Sequence, residues 1–214
     1  MVCRSLARTV FERTGGSKDI STGNFIKNTL EKPGDLFNNG EVLKAYENYV
    51  TYAGKNLNIL QGNFDLDVHK IREQVEEYKA LTGCRPVVFI DYLQVVRPLD
   101  MRLTEKQHID LAIVELKRLS RDLDIPVFVV SSFNRMSYNT EVDMAAFKES
   151  GSIEYTADCI LALQIRKGEE ENINVVKNKE PRPLDLVLLK NRRGKAFDNI
   201  ALDYWPKVNF FNEV

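Results

Sequence analysis

Little in this chain points to a metal centre, a disulfide framework or a membrane. Its three cysteines, Cys3, Cys84 and Cys159, lie far apart without C-x-x-C spacing, so reduced, mostly buried thiols are expected rather than zinc ligands or cross-links. The two histidines, His69 and His108, fall on helical stretches with no second ligand three or four residues away, which assigns them to surface or packing roles. No apolar run approaches the roughly 18 residues of a membrane span. The amino terminus has no basic stretch leading into an apolar segment and a small-residue cleavage site, so a cytoplasmic address is expected. With a net charge of -1 the chain lacks a strong field of one sign, and any contact with nucleic acid must come from local patches. There is no internal repeat, low-complexity tract or Pro/Gly/Ser-rich linker, and 214 residues suit a single domain.

What is present reads as an α/β pattern. Helical stretches are expected around Val2 to Glu12, Thr22 to Leu30 and Glu41 to Ala53, with a strand at Leu57 to Leu60. Val68, Ile71, Val75 and Tyr78 recur at helical spacing, and Gly83 supplies a stop. Pro86 to Asp91 is a short apolar run rich in β-branched residues, as in a parallel strand covered on both faces. Thr104 and Gln107 form a capping box ahead of Ile109, Ala112, Ile113, Leu116, Leu119 and Leu123, the apolar stripe of a long helix. Val127 to Ser131 and Cys159 to Ile165 read as further strands of a parallel crossover arrangement. Residues 166–183 are charged and poor in large apolar side chains, which predicts a flexible loop or loose hairpin without core. Leu184 to Leu189, Phe197 to Tyr204 and Val208 to Phe211 are closely connected strand candidates, and the aromatics Tyr204, Trp205, Phe210 and Phe211 are read as core rather than as base-stacking groups.

Two strands end in polar residues, and open α/β sheets bind ligands beyond the carboxyl ends of their strands. Asp91 stands at one end and Ser131-Ser132 at the other. A carboxylate there suits magnesium held through water beside a nucleotide's phosphates, although an aspartate after a strand is equally compatible with a simple turn. No Ser/His/Asp triad is visible. Taken in order, Asp91-Tyr92-Leu93-Gln94, Leu116 to Ser120 with Ile125 to Val127, Ser131-Ser132-Phe133-Asn134-Arg135, Phe147 to Glu154 with Ala157-Asp158, and Lys190-Asn191-Arg192-Arg193-Gly194 resemble five blocks of the DnaB-type replicative DNA helicases.

That resemblance implies a RecA-like fold, of the P-loop NTPase type, with a mainly parallel sheet flanked by helices and antiparallel strands at the C-terminal end. It implies an ATP-dependent helicase motor of DNA replication, using ATP and Mg2+ and acting as a ring of six like subunits. Single-stranded DNA would be its track, with a primase or helicase loader as further partners. Asp91 would position Mg2+, and Ser132 stands where the family has a longer glutamine that senses the nucleotide. Asn134, Arg135, Lys148, Glu149 and Gly151 would contact DNA backbone. Lys190 and Arg192 would reach a neighbouring subunit's nucleotide, Arg192 as the arginine finger, for which a permanently charged planar fork is well suited. Taken alone, Arg192-Arg193-Gly194 is more commonly an exposed basic turn and Ser152 more readily a helix cap.

The phosphate-gripping motif G-x-x-x-x-G-K-[ST] is missing from the 214 residues. Gly54-Lys55 is followed by Asn56, Gly194-Lys195 by Ala196, and Gly16-Ser17-Lys18 has the wrong order. The chain is therefore expected to correspond to the later part of such a motor and to hydrolyse no ATP alone. It is either a piece of a helicase or a non-catalytic RecA-like module that binds DNA or a helicase ring. A recombinase of the RecA type shares the fold but is not favoured by D-Y-L-Q or E-S-G-S-I-E.

Overall fold

The structure is a computed structural model that describes residues 2–16, 21–31, 40–62, 65–132, 151–168, 171–196 and 198–214. Contacts divide the chain into two compact units, the first formed by Met1–Leu60, Ile165–Leu186 and Asn199–Val214, the second by Gln61–Gln164 and Val187–Asp198. No helix among the described residues is long and apolar enough to cross a membrane.

The second unit starts with α4 (Val68–Thr82). Asp67 caps it by accepting from the His69 and Lys70 amides at 3.0 and 2.9 Å. Gly83 ends it in the left-handed region, φ 68°, where a side chain would be strained. β1 (Val88–Ile90) pairs in parallel with β2 (Val127–Val129), Phe89 opposite Phe128. Between them runs α5 (Glu105–Leu123), opened by the expected capping box: the Gln107 amide donates to Thr104 Oγ1, and the Thr104 amide to Gln107 Oε1. Its buried stripe of Ile109, Ala112, Leu116 and Leu119 joins Ile90 and Leu93 in the unit's main core. His108 is a packing residue there, its Nε2 2.7 Å from the Val96 carbonyl oxygen.

One expectation about these strands fails. Among the described residues the parallel pair is covered on one face only: Val87, Phe89, Phe128 and Val130 are at least half exposed, and Phe89 stacks on Phe128 at 4.9 Å. A run apolar at every position states that both faces are greasy, not that both are covered. The strand at Cys159–Ile165, here β3, likewise does not extend the parallel pair. It belongs to a four-stranded sheet of order β3, β4 (Arg182–Asn191), β5 (Asp198–Trp205) and β6 (Phe210–Glu213). The bonds from Arg192 N to Asp158 O and from Arg166 N to Pro183 O run β3 and β4 antiparallel. The expectation of mostly buried thiols fails at Cys84 and Cys159, both of which are exposed.

In the first unit, α1 (Val2–Arg13) and α3 (Gly40–Asn48) pack Leu6, Val10 and Val42 around Val208, and α2 (Thr22–Glu31) lies between them in sequence. Trp205 and Phe210 pack against the same cluster, Phe11 lying 5.9 Å from each ring, in line with their reading as core, whereas Phe211 is exposed and stacks on Tyr204. The chain after α3 makes a π-helical turn, Tyr49–Gly54, and then forms no strand at Leu57 to Leu60. Leu57, Ile59 and Leu60 are exposed, so an apolar run without a pairing partner has not become a strand. Within 166–183, expected to lack core, α7 (Ile173–Lys177) forms with Asn172 as its cap and buries Val176 completely. Its charged flanks disguised a short amphipathic turn.

Candidate functional site

All the described residues of the candidate site belong to the second unit. Because β1 and β2 are parallel neighbours, their polar ends lie on the same edge. Past Ile90 the chain turns through a cis Asp91–Tyr92 peptide into a 3-10 turn, Leu93–Val95, anchored by the fully buried Leu93 side chain. Leu93 N donates to Val130 O at 2.8 Å, and Gln94 Nε2 donates to Ser131 Oγ at 3.0 Å. The two strand ends are thus tied by main chain and side chain. Asp91 and Ser132 are left exposed, and the Asp91 carboxylate has no partner among the described residues.

This donor set fits hydrated magnesium and does not fit a protein cage. Mg2+ keeps several waters and takes one or two carboxylates plus phosphate oxygens. The one exposed carboxylate of Asp91 at the strand ends meets that need, and no group of three or more potential metal ligands exists among the described residues.

The second cluster forms where β4 ends. Its inward side chains Val187 and Leu189 pack with Ile160 and Ala162 of β3, and Ile153 and Ala157 lie against them. This seats α6 (Gly151–Thr156) over the sheet with its last carbonyls beside the end of β4. Such carbonyls lack helical partners and accept cations well. Lys190 Nζ donates to the Glu154 carbonyl oxygen. Arg192 Nη2 donates to the Tyr155 carbonyl oxygen at 3.0 Å, and Nη1 to Asp158 Oδ1 at 2.8 Å. The Arg192 amide donates to the Asp158 carbonyl oxygen, also at 2.8 Å. The following turn is organised by Asn191, whose Oδ1 accepts from the Arg193 amide and whose Nδ2 donates to Lys195 O. At Gly194 a Cβ would stand 2.8 Å from Asn191 Nδ2, so a larger residue would displace that amide.

Asp158 in turn accepts from Lys117 of α5. That hydrogen bond is the main reason its carboxyl sits below the usual aspartate range; its slight burial opposes the shift, and the charges of Lys117, Arg192 and Arg193 reinforce it. The structure therefore brings Lys190 and Arg192 together on one scaffold, places Asp91 and Ser132 at the strand ends, and puts exposed Gly151 at the start of α6. Asn134, Arg135, Lys148 and Glu149 lie outside the described residues. Lys117, Asp158 and Gln94 were not singled out as site residues. The one signal for Asp158 was its place in the Ala157-Asp158 step, an acid just before an apolar strand.

The fold is RecA-like. Over its whole length the chain matches 69% of the structure of the ATPase domain of G40P, with a TM-score of 0.77 and 19% identity. Over 98% of its length it matches 47% of a DnaB-like replicative helicase solved for its interactions with primase, with a TM-score of 0.74 and 20% identity. Residues 20–213 match the DnaB-like helicase C terminal domain, and the chain belongs to that family. Relatives include the replicative DNA helicase DnaB of Mycoplasma pneumoniae, 26% identical over 68% of this chain and 32% of its own. The replicative DNA helicase DnaC of Bacillus subtilis is 30% identical over 67% of this chain and 31% of its own. The chain thus spans about a third of the length of these relatives.

Proposed function

We propose that this chain forms the later part of an ATP-driven, ring-type DNA helicase motor of replication, working in the cytoplasm. Within it, Lys190 and Arg192 act on the nucleotide held by a neighbouring subunit. The observation that carries this reading is the joint seating of Lys190 and Arg192 on the end of α6, which holds two permanent or near-permanent cations side by side. Two such cations suit the negative charge spread over a transferring phosphoryl group. Asp91 and Ser132 would hold hydrated Mg2+ against the phosphates of ATP; bound there, the ion would screen the phosphate charge. Gly151, with Asn134, Arg135, Lys148 and Glu149, would touch the backbone of single-stranded DNA, where amide donors and a lysine read charge rather than base identity. A homo-oligomeric ring, six-membered by family likeness, is the assembly this division of labour requires, with a primase or loader as its outside partner.

The test is ATP hydrolysis with single-stranded DNA present. The chain alone is expected to show no appreciable turnover; robust turnover abolished by Asp91→Ala would overturn that division of labour. Mixed with a relative that carries the G-x-x-x-x-G-K-[ST] motif, the chain should support turnover that Arg192→Ala reduces. An equal rate with the variant removes Arg192 from the mechanism. A second reading, a non-catalytic module that binds DNA or joins a helicase ring, is favoured by the absence of that motif from these 214 residues. It predicts association without any effect of Arg192→Ala on turnover.

A further inference from the structure

Arg192 is a half-exposed side chain, yet three groups of its own chain hold it: the Asp158 carboxylate, the Tyr155 carbonyl and, through its amide, the Asp158 carbonyl. Asp158 is itself anchored. Lys117 grips its second oxygen, and Lys117 stands on α5 beside Leu116, which is buried in the main core. A continuous line therefore runs from the core helix through Lys117 and Asp158 to Arg192. A guanidinium has five donors, and the two bonds to Asp158 and Tyr155 leave three for an outside anion.

We propose that Asp158 is a positioning residue: braced by Lys117, it holds Arg192 in a fixed pose beside Lys190, so that the pair meets an anionic phosphate as one preorganised unit. The inference rests on the reading of Arg192 as a trans-acting residue. An unbraced arginine must lose its side-chain freedom each time it engages, whereas one already oriented loses less per hydrogen bond formed. The benefit belongs to the reacting state, where charge on the phosphoryl oxygens is redistributed, more than to nucleotide binding, which the neighbour's own groups supply. Asp158 acts only through Arg192.

The experiment uses the mixed assembly with a motif-bearing relative, ATP varied from limiting to saturating, and saturating single-stranded oligonucleotide. Asp158→Asn keeps the shape and removes the charge. It should lower kcat about two- to fivefold, the factor matching a half-exposed ion pair, with little change in KM for ATP. Asp158→Glu should recover part of the loss. In an Arg192→Ala background, Asp158→Asn should add nothing. If Arg192→Ala slows turnover and Asp158→Asn does not, or if the two losses multiply, the positioning role is wrong while the proposed function stands. Should Arg192→Ala prove silent, the proposed function fails, and a second measurement decides on Asp158 by itself. In the isolated chain, the Arg192 guanidinium NH resonance, identified by its loss in Arg192→Ala, should shift and exchange faster with water in Asp158→Asn. An unchanged resonance overturns the proposal.

Discussion

Arg192 and Asp158 show how a residue's role is set by what holds it. An arginine in a basic turn is usually a solvated group; here the half-exposed Arg192 is held by the Tyr155 carbonyl and the Asp158 carboxylate. The depressed Asp158 carboxyl has a consequence for stability. Because folding lowers its pKa, its contribution is present above the unfolded value near 4 and is lost as pH falls through the folded value. The groups facing it are the basic side chains of Lys117 from α5 and of Arg192 and Arg193 after β4. Denaturant midpoints of the native chain and Asp158→Asn should therefore differ at neutral pH and converge below about pH 4. The difference should be small, roughly 0.2–1 kcal/mol, since solvent screens a half-exposed pair. A gap that widens on acidification would refute the assignment. Lys190 and Arg192 were legible in the sequence because they lie two residues apart in one motif. The Lys117–Asp158 contact was not, because 41 positions separate the partners and no local pattern pairs them.

At the scale of elements, α5 was the most legible, since its capping box, its 3.6-residue stripe and its length all point the same way. Leu116, buried in the main core, should cost about 2–5 kcal/mol on substitution by alanine, and Thr104→Ala about 1 kcal/mol through loss of the cap. Phe89→Ser, on the open face of β1, should cost clearly less than Leu116→Ala in the same denaturation series. A reversed order would mean that the open face is covered. That face, the antiparallel partner of β3 and the buried Val176 of α7 were not legible for a common reason. Each depends on which surface a segment meets, and local pattern reports only that a segment is apolar or charged. The missing strand at Leu57 to Leu60 is the same failure from the other side, apolar character without a partner.

For the whole molecule, a near-neutral net charge and a share of about one third of its relatives' length direct attention to the second unit, where the strand ends and the basic pair are built. On the proposed function, this chain contributes groups to a nucleotide held by a neighbouring subunit. The most direct measurement is complementation: DNA-stimulated ATP hydrolysis by a motif-bearing relative whose own finger arginine has been replaced by alanine, titrated with this chain. The account predicts that the native chain restores turnover and that Arg192→Ala restores little, at equal incorporation into the assembly. Equal restoration by both forms, or none by either despite assembly, would contradict it.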